Sequence, residues 1–107
     1  MKVLCLCQGG NVRSVALAYL LKYGADTDAL ACSWQKNTPE TIQMLCEWAD
    51  AIALLESSFK VHVPTRYHDK IAIFDVGPDR WGNPLHPDLI ALLTEMVNSR
   101  EPAMVGA

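Results

Sequence analysis

No stretch of this 107-residue chain stays apolar for the about 18 residues that a membrane-spanning helix requires, which excludes a helical membrane protein. A secretory leader is not expected either. MKVLCLCQGG meets glycines after a very short apolar run, so a cytoplasmic location is the expectation. Positive charge is scarce, 9 Lys and Arg against 12 Asp and Glu for a net charge of −3, which argues against a nucleic-acid partner. The 4 cysteines, Cys5, Cys7, Cys32 and Cys46, form neither a CxxC pair nor a histidine-spaced zinc pattern. In a reducing compartment they are expected as thiols. His62, His68 and His86 share no helical spacing, so a metal is not expected. Repeats and low-complexity tracts are absent.

What remains is a chain that is 50% hydrophobic, enough for one core and too short for two domains. Residues 1–107 therefore read as one domain, with 100–107 as a flexible tail. KVLCLC at 2–7 reads as a buried strand and RSVALAYLLKY at 13–23 as a helix stopped by Gly24. DALACS at 28–33 is a second strand. Thr38 and Pro39 have the character of an N-cap and a first helical residue, opening a helix over 39–49. AIALL at 51–55 is continuous and apolar, as a strand covered on both faces should be. A short helical turn is expected from Ser57, broken before Pro64 and followed by a loop. KIAIFDV at 70–76 is the fourth strand, 77–87 is turn-rich, and a last helix runs from Pro87 to about Ser99. Strands alternating with helices imply an α/β fold: a parallel sheet with helices on both faces. Ligands of such sheets bind at the carboxyl ends of the strands, where Cys7, Asp75 and Asp79 fall.

The segment from Cys7 to Ser14 carries the chemistry. Gly9 and Gly10 permit positive φ angles that turn N–H groups inward. The helix opening near Ser14 adds unsatisfied amides and partial positive charge. Gln8, Gly9, Gly10, Asn11, Val12, Arg13 and Ser14 thus make a cradle for a tetrahedral oxyanion. Arg13 supplies a planar fork for two of its oxygens, and the same field favours the anion of the Cys7 sulfur. Ser14 stands where its hydroxyl would steady that sulfur. A sulfur attack on phosphorus uses all of these parts.

Cys7-Gln8-Gly9-Gly10-Asn11-Val12-Arg13-Ser14 resembles the cysteine, five residues, arginine, serine loop of low-molecular-weight protein tyrosine phosphatases. CEWADAIALLESSFK is similar to that family's helix and third strand. IAIFDVGPDRWGNPLHPDLIALL is similar to the acid loop and final helix of a compact bacterial and phage-type branch. The resemblance covers most of residues 2–95. It implies a small three-layer sandwich with a four-stranded parallel sheet in the order 2-1-3-4, and hydrolysis through a phosphocysteine without metal or cofactor. The implied partner is a phosphorylated protein or a small aryl phosphate. The acid would be Asp79 in Pro78-Asp79-Arg80-Trp81, with Asp75 as its rival. Trp34 and Trp81 would wall the pocket for an aromatic ring, and Tyr67 is a weaker candidate for the same role.

Some positions depart from the family. Gly10 stands where an asparagine usually ties the loop down, Asn11 following it, and Val12 replaces a second cysteine found in many relatives. Val15 stands in for the usual proline. Cys5 shares a strand face with Cys7 and reads as a small buried thiol, with a role as redox partner as the alternative. Asp50 reads as a strand-boundary residue or as a brace beneath the loop. Two rival functions stay open: a non-catalytic module binding phosphate or a phosphopeptide, and an arsenate reductase. The second would need further cysteines beyond Cys46, and the chain has none there.

Overall fold

The computed structural model describes residues 1–9, 12–78 and 80–100. Gly10, Asn11, Asp79 and the expected tail at 101–107 lie outside the described residues. Strands β1 (Lys2–Cys7), β2 (Asp28–Ser33), β3 (Ala51–Leu54) and β4 (Ile71–Ile73) form one parallel sheet in the order β2-β1-β3-β4. Helices α1 (Arg13–Tyr19), α2 (Pro39–Trp48) and α3 (Pro87–Arg100) flank it. The chain steps from β1 to β2 in one direction and from β2 to β3 in the other. Right-handed crossovers therefore put α1 and α2 on opposite faces, and α3 returns to pack against α1. Among the described residues, no helix is long and apolar enough to cross a membrane.

The sheet interior explains the order. Val3, Leu4, Cys5 and Leu6 of β1 and Ile52, Ala53 and Leu54 of β3 are wholly buried, so the two most apolar strands take the centre. Leu17 and Leu21 cover one face with Leu89 and Leu93 of α3, while Ile42 and Cys46 belong to α2. Fully burying a leucine of this kind contributes about 1.5–3 kcal/mol.

Local signals set the element ends. Thr38 caps α2, its side-chain oxygen accepting the Thr41 N–H at 3.1 Å, with Pro39 in the first turn. At the other end Lys70 Nζ donates to the carbonyls of Cys46 (3.1 Å) and Ala49 (2.8 Å), satisfying groups that the helix itself leaves open. After Tyr19 the expected helix over 13–23 widens into a π-helical turn, Leu20–Gly24, that keeps Leu21 in the core. The chain then reverses at Asp26, whose φ of 51° is a left-handed conformation that aspartate tolerates better than most residues.

Four expectations are corrected. The fourth strand is only three residues long, Ile71–Ile73, and not 70–76. Phe74 and Val76 keep N–H bonds to the carbonyls of Leu54 (2.8 Å) and Leu55 (3.2 Å), but the Asp75 side chain bonds nearby backbone and bends the chain off the ladder. The loop expected after Pro64 holds a second 3-10 turn, Thr65–Lys70, anchored by buried Tyr67, whose hydroxyl donates to Glu47 at 2.7 Å. Tyr67 thus belongs to the packing of α2, not to the ligand edge. Asp50 also moves away from its suggested brace role. It accepts the Lys2 N–H at 2.8 Å, at the edge of the sheet opposite Cys7.

Replacing Lys70 by methionine, which keeps the stem and removes the charge, is expected to lower the unfolding free energy by about 1 kcal/mol. Urea titration followed by circular dichroism reads this directly. An unmoved midpoint would mean that the last carbonyls of α2 do not depend on the ammonium.

Candidate active site

The parallel register brings all four strand exits to one edge. Cys7, the last residue of β1, pairs with Ser33 of β2, while Leu6 pairs with Leu54 of β3. Trp34 N–H donates to the Cys7 carbonyl at 3.0 Å and Gln35 N–H to the Gln8 carbonyl at 3.4 Å. The Ser33 hydroxyl also donates to the Gln8 carbonyl and accepts the Lys36 N–H at 3.0 Å. The start of the loop after Cys7 is therefore fastened to the exit of β2. Cys7 is 2% exposed, and its Sγ lies 3.0 Å from the hydroxyl of fully buried Ser14. Sulfur and hydroxyl meet as the sequence predicts.

Arg13 opens α1 and is itself only 2% exposed. Its Nη1 donates to Glu56 Oε1 at 2.7 Å and to the Gly77 carbonyl at 2.7 Å, while the guanidinium carbon stands 5.4 Å from the centre of the Phe59 ring. Nε is buried and has no hydrogen-bond partner among the described residues. The guanidinium is therefore divided. One nitrogen is fixed by protein, and the edge bearing Nε keeps a donor to offer. This refines the expected fork, because Nη1 is already engaged.

Glu56 was not singled out by the sequence. Its signal was positional: it is the first charged residue after the apolar run of β3, at the ligand edge. The Ser58 hydroxyl donates to its other oxygen at 3.0 Å, so both carboxylate oxygens are held. Gly77 was missed as well. Its φ of +76° belongs to glycine and turns its carbonyl to Arg13. Gly9, expected to need positive φ, does not adopt it, and a Cβ there would meet nothing within 4 Å. Among the described residues the positive-φ glycines are Gly77 and Gly82, both in the connection after β4.

Of the two acid candidates, Asp75 lies among the described residues. Asp79 lies outside the described residues, as do Gly10 and Asn11. Asp75 accepts the Ser57 N–H (3.0 Å) and hydroxyl (3.1 Å) at one oxygen and the Gly77 N–H (2.9 Å) at the other. The Ser57 and Gly77 amides, helped by the Ser57 hydroxyl and the Arg13 charge, hold its carboxyl below the ordinary range. An acid kept ionised in this way braces two loops and is poorly suited to give up a proton.

Of the aromatic candidates, Trp34 is half-buried and stacks on His62, ring centres 3.6 Å apart and planes at 9°, with Phe59 edge-on at 5.9 Å. His62 is a neighbour that the sequence did not identify. Trp81 is buried, with the Arg80 guanidinium 4.1 Å from its ring centre and His86 edge-on at 5.6 Å, so it presents little open surface as a wall. His86 accepts the Asp88 N–H at 3.2 Å and so helps to start α3. Val12 precedes Arg13 as the cap of α1 without a side-chain bond. Among the described residues, no group of three or more His, Cys, Asp or Glu side chains stands together as metal ligands.

The remaining thiols are inert by environment. Burial, with the neighbouring Cys7 adding to it, pushes the Cys5 thiol far up, and burial likewise raises Cys32 and pushes Cys46 up to about 11. Cys5 is wholly enclosed in the central strand, which suits a small hydrophobe and not a redox partner. None of the four cysteines is joined in a disulfide among the described residues.

Because Asp75 is shifted downward, its ionised form adds stability above its unfolded value of about 3.9, and that share is lost as pH falls through the lower folded value. The difference in melting temperature between the wild type and Asp75→Ala should therefore narrow from about pH 5 to about pH 2. Thermal unfolding across that series checks it, and a gap that does not change with pH would remove the charge from the account.

Comparison with family models, with curated proteins and with solved structures finds no match for this chain, so its chemistry is read from its own residues.

Proposed function

We propose that the chain is a phosphomonoester hydrolase acting on phosphotyrosine or a similar aryl phosphate through a phosphocysteine at Cys7. The observation that carries this reading is Arg13. A guanidinium 98% buried, with its Nη1 fixed and its Nε–H left without a partner among the described residues, is a donor held ready for an anion. It opens the helix that also carries Ser14, whose hydroxyl touches the Cys7 sulfur.

The proposed steps are these. The Cys7 sulfur attacks phosphorus as the bond to the aryl oxygen breaks, and the leaving oxygen takes a proton from Asp79. Arg13 Nε–H and loop amides stabilise the charge on the equatorial oxygens. Water then attacks phosphorus, gives its proton to the Asp79 carboxylate and releases phosphate, the sulfur leaving as an anion steadied by Ser14. Glu56 keeps the guanidinium in one plane throughout. The role of Asp79 rests on the resemblance of its Pro-Asp context and on the commitment of Asp75 to the Ser57 and Gly77 amides. A cytoplasmic location belongs to the same reading, and cysteines outside any disulfide among the described residues suit it.

Wild type should turn over para-nitrophenyl phosphate, and Cys7→Ser should lower kcat by at least about a thousandfold. Turnover retained by that variant would reject the nucleophile. Phosphopeptide binding by the wild type with no phosphate released would make the site a binding module instead.

The two aspartates give a further expectation. Asp79→Asn should reduce kcat by about 10²–10³-fold, the usual worth of a positioned acid, and Asp75→Asn by much less. Steady-state kinetics on an aryl phosphate with a poor leaving group distinguishes them, and the reverse order would exchange their roles.

A further inference from the structure

A chain of ring contacts runs from Arg13 to His62. The Phe59 ring stands 5.4 Å from the guanidinium carbon, and Trp34 meets Phe59 edge-on at 5.9 Å. His62 then lies flat on Trp34, ring centres 3.6 Å apart and planes at 9°. Trp34 is tied to the other half of the site as well, its N–H donating to the Cys7 carbonyl at 3.0 Å. The chemistry proposed above uses Cys7 and Arg13 and gives His62 no part.

His62 is held differently from the other two histidines. His68 Nε2 bonds the Val63 carbonyl at 2.8 Å, and His86 Nδ1 accepts the Asp88 N–H at 3.2 Å. Neither ring nitrogen of His62 has a hydrogen-bond partner among the described residues. The imidazole is half-buried at the last residue of the 3-10 turn Ser57–His62, beside Val61 at 82% exposure. What orients this ring is therefore the stack, an interaction worth about 0.5–1.5 kcal/mol. Trp34 is incompletely met too. Its indole N–H is buried without a hydrogen-bond partner among the described residues, at a cost of about 1–3 kcal/mol. Ring contact, and no side-chain hydrogen bond, thus holds both members together. A third ring cannot enter between them, since two carbon contacts in series need roughly 7–8 Å. On this face of Trp34, a planar ligand and the imidazole exclude each other.

We propose that His62 is a specificity-determining residue of this site: its imidazole occupies the face of Trp34 that a substrate's aryl ring takes. An aryl phosphate binds by exchanging its ring for the imidazole, and a phosphate ester without a ring leaves His62 in place. This deepens the phosphomonoesterase reading and rests on it for turnover, though not for binding. The exchange replaces one stack by another of similar worth, so the wild type gains little from the ring itself. With the imidazole removed, the contact of the aryl ring with Trp34 is gained in full.

The test titrates phenylphosphonate and methylphosphonate, stable anions that differ in the ring, into the wild type and follows them by NMR. The His62 ring protons, identified by their proximity to the Trp34 indole protons, are expected upfield of their positions in a free histidine side chain. Phenylphosphonate should move them downfield as it saturates, and methylphosphonate should not. Saturation by phenylphosphonate with these signals unmoved would overturn the proposal, and so would the failure of both anions to bind. Affinities from the same titrations give a second arm. The preference for phenylphosphonate over methylphosphonate should rise by at least about threefold in His62→Ala, and a smaller rise overturns the proposal. The hydrolase reading is decided separately with para-nitrophenyl phosphate. Turnover with His62 unmoved by phenylphosphonate keeps the hydrolase and rejects the exchange, whereas a moved His62 without turnover keeps the exchange and rejects the hydrolase.

Discussion

A guanidinium taken out of water is costly unless its charge and its N–H groups are met by fixed partners. Arg13 is in that position, and the rest of the ligand edge is arranged to meet it. Glu56 leaves β3, Gly77 follows β4 and Arg13 itself opens the helix after β1, so one buried group joins three of the four strand exits. The Asp75 carboxylate adds a second tie between the β3 and β4 exits through Ser57 and Gly77. A guanidinium left without its carboxylate in such a place is among the more damaging of buried defects. On the proposed reading, stability of this edge and readiness for an anion are the same arrangement seen from two sides.

The sheet supplies rigidity where the chemistry needs it. Cys7 ends the central strand, paired on both sides up to Leu6, and its sulfur inherits the precision of that register. Ser14, one residue into α1, meets it from the helix side. Around this fixed pair stand connections of varied character: a stacked tryptophan and histidine, a 3-10 turn carrying Phe59, and a glycine-dependent bend at Gly77. If the proposed chemistry holds, Arg13 and Ser14 are donors set in place by the fold, the condition under which electrostatic stabilisation is most effective.

The strands over 2–7 and 28–33 were legible because apolar runs there coincide with ladder pairing. The capped start of α2 was legible from Thr38 and Pro39 alone. The fourth strand was overrun for a physical reason: Phe74 and Val76 are buried, and apolarity in a sequence reports burial, not hydrogen-bond register. The meeting of Cys7 and Ser14 could be read because both lie in one short segment. Glu56 could not, since it lies 43 residues from Arg13 and no local pattern joins them. The glycines make the same point. Composition shows where glycine occurs, but whether Gly9 or Gly77 takes the left-handed region depends on which carbonyl must face the arginine.

The brevity of β4 bears on how the molecule behaves among its own kind. A parallel sheet in the order β2-β1-β3-β4 has two unpaired margins, and unpaired margins invite other chains to add on. At β4 the margin is three residues long and ends in a bend, too little to template a foreign strand. At β2 it is six residues long and bears an exposed Leu30. Self-association by strand addition therefore has one open flank, on the side of the sheet away from the β4 turn.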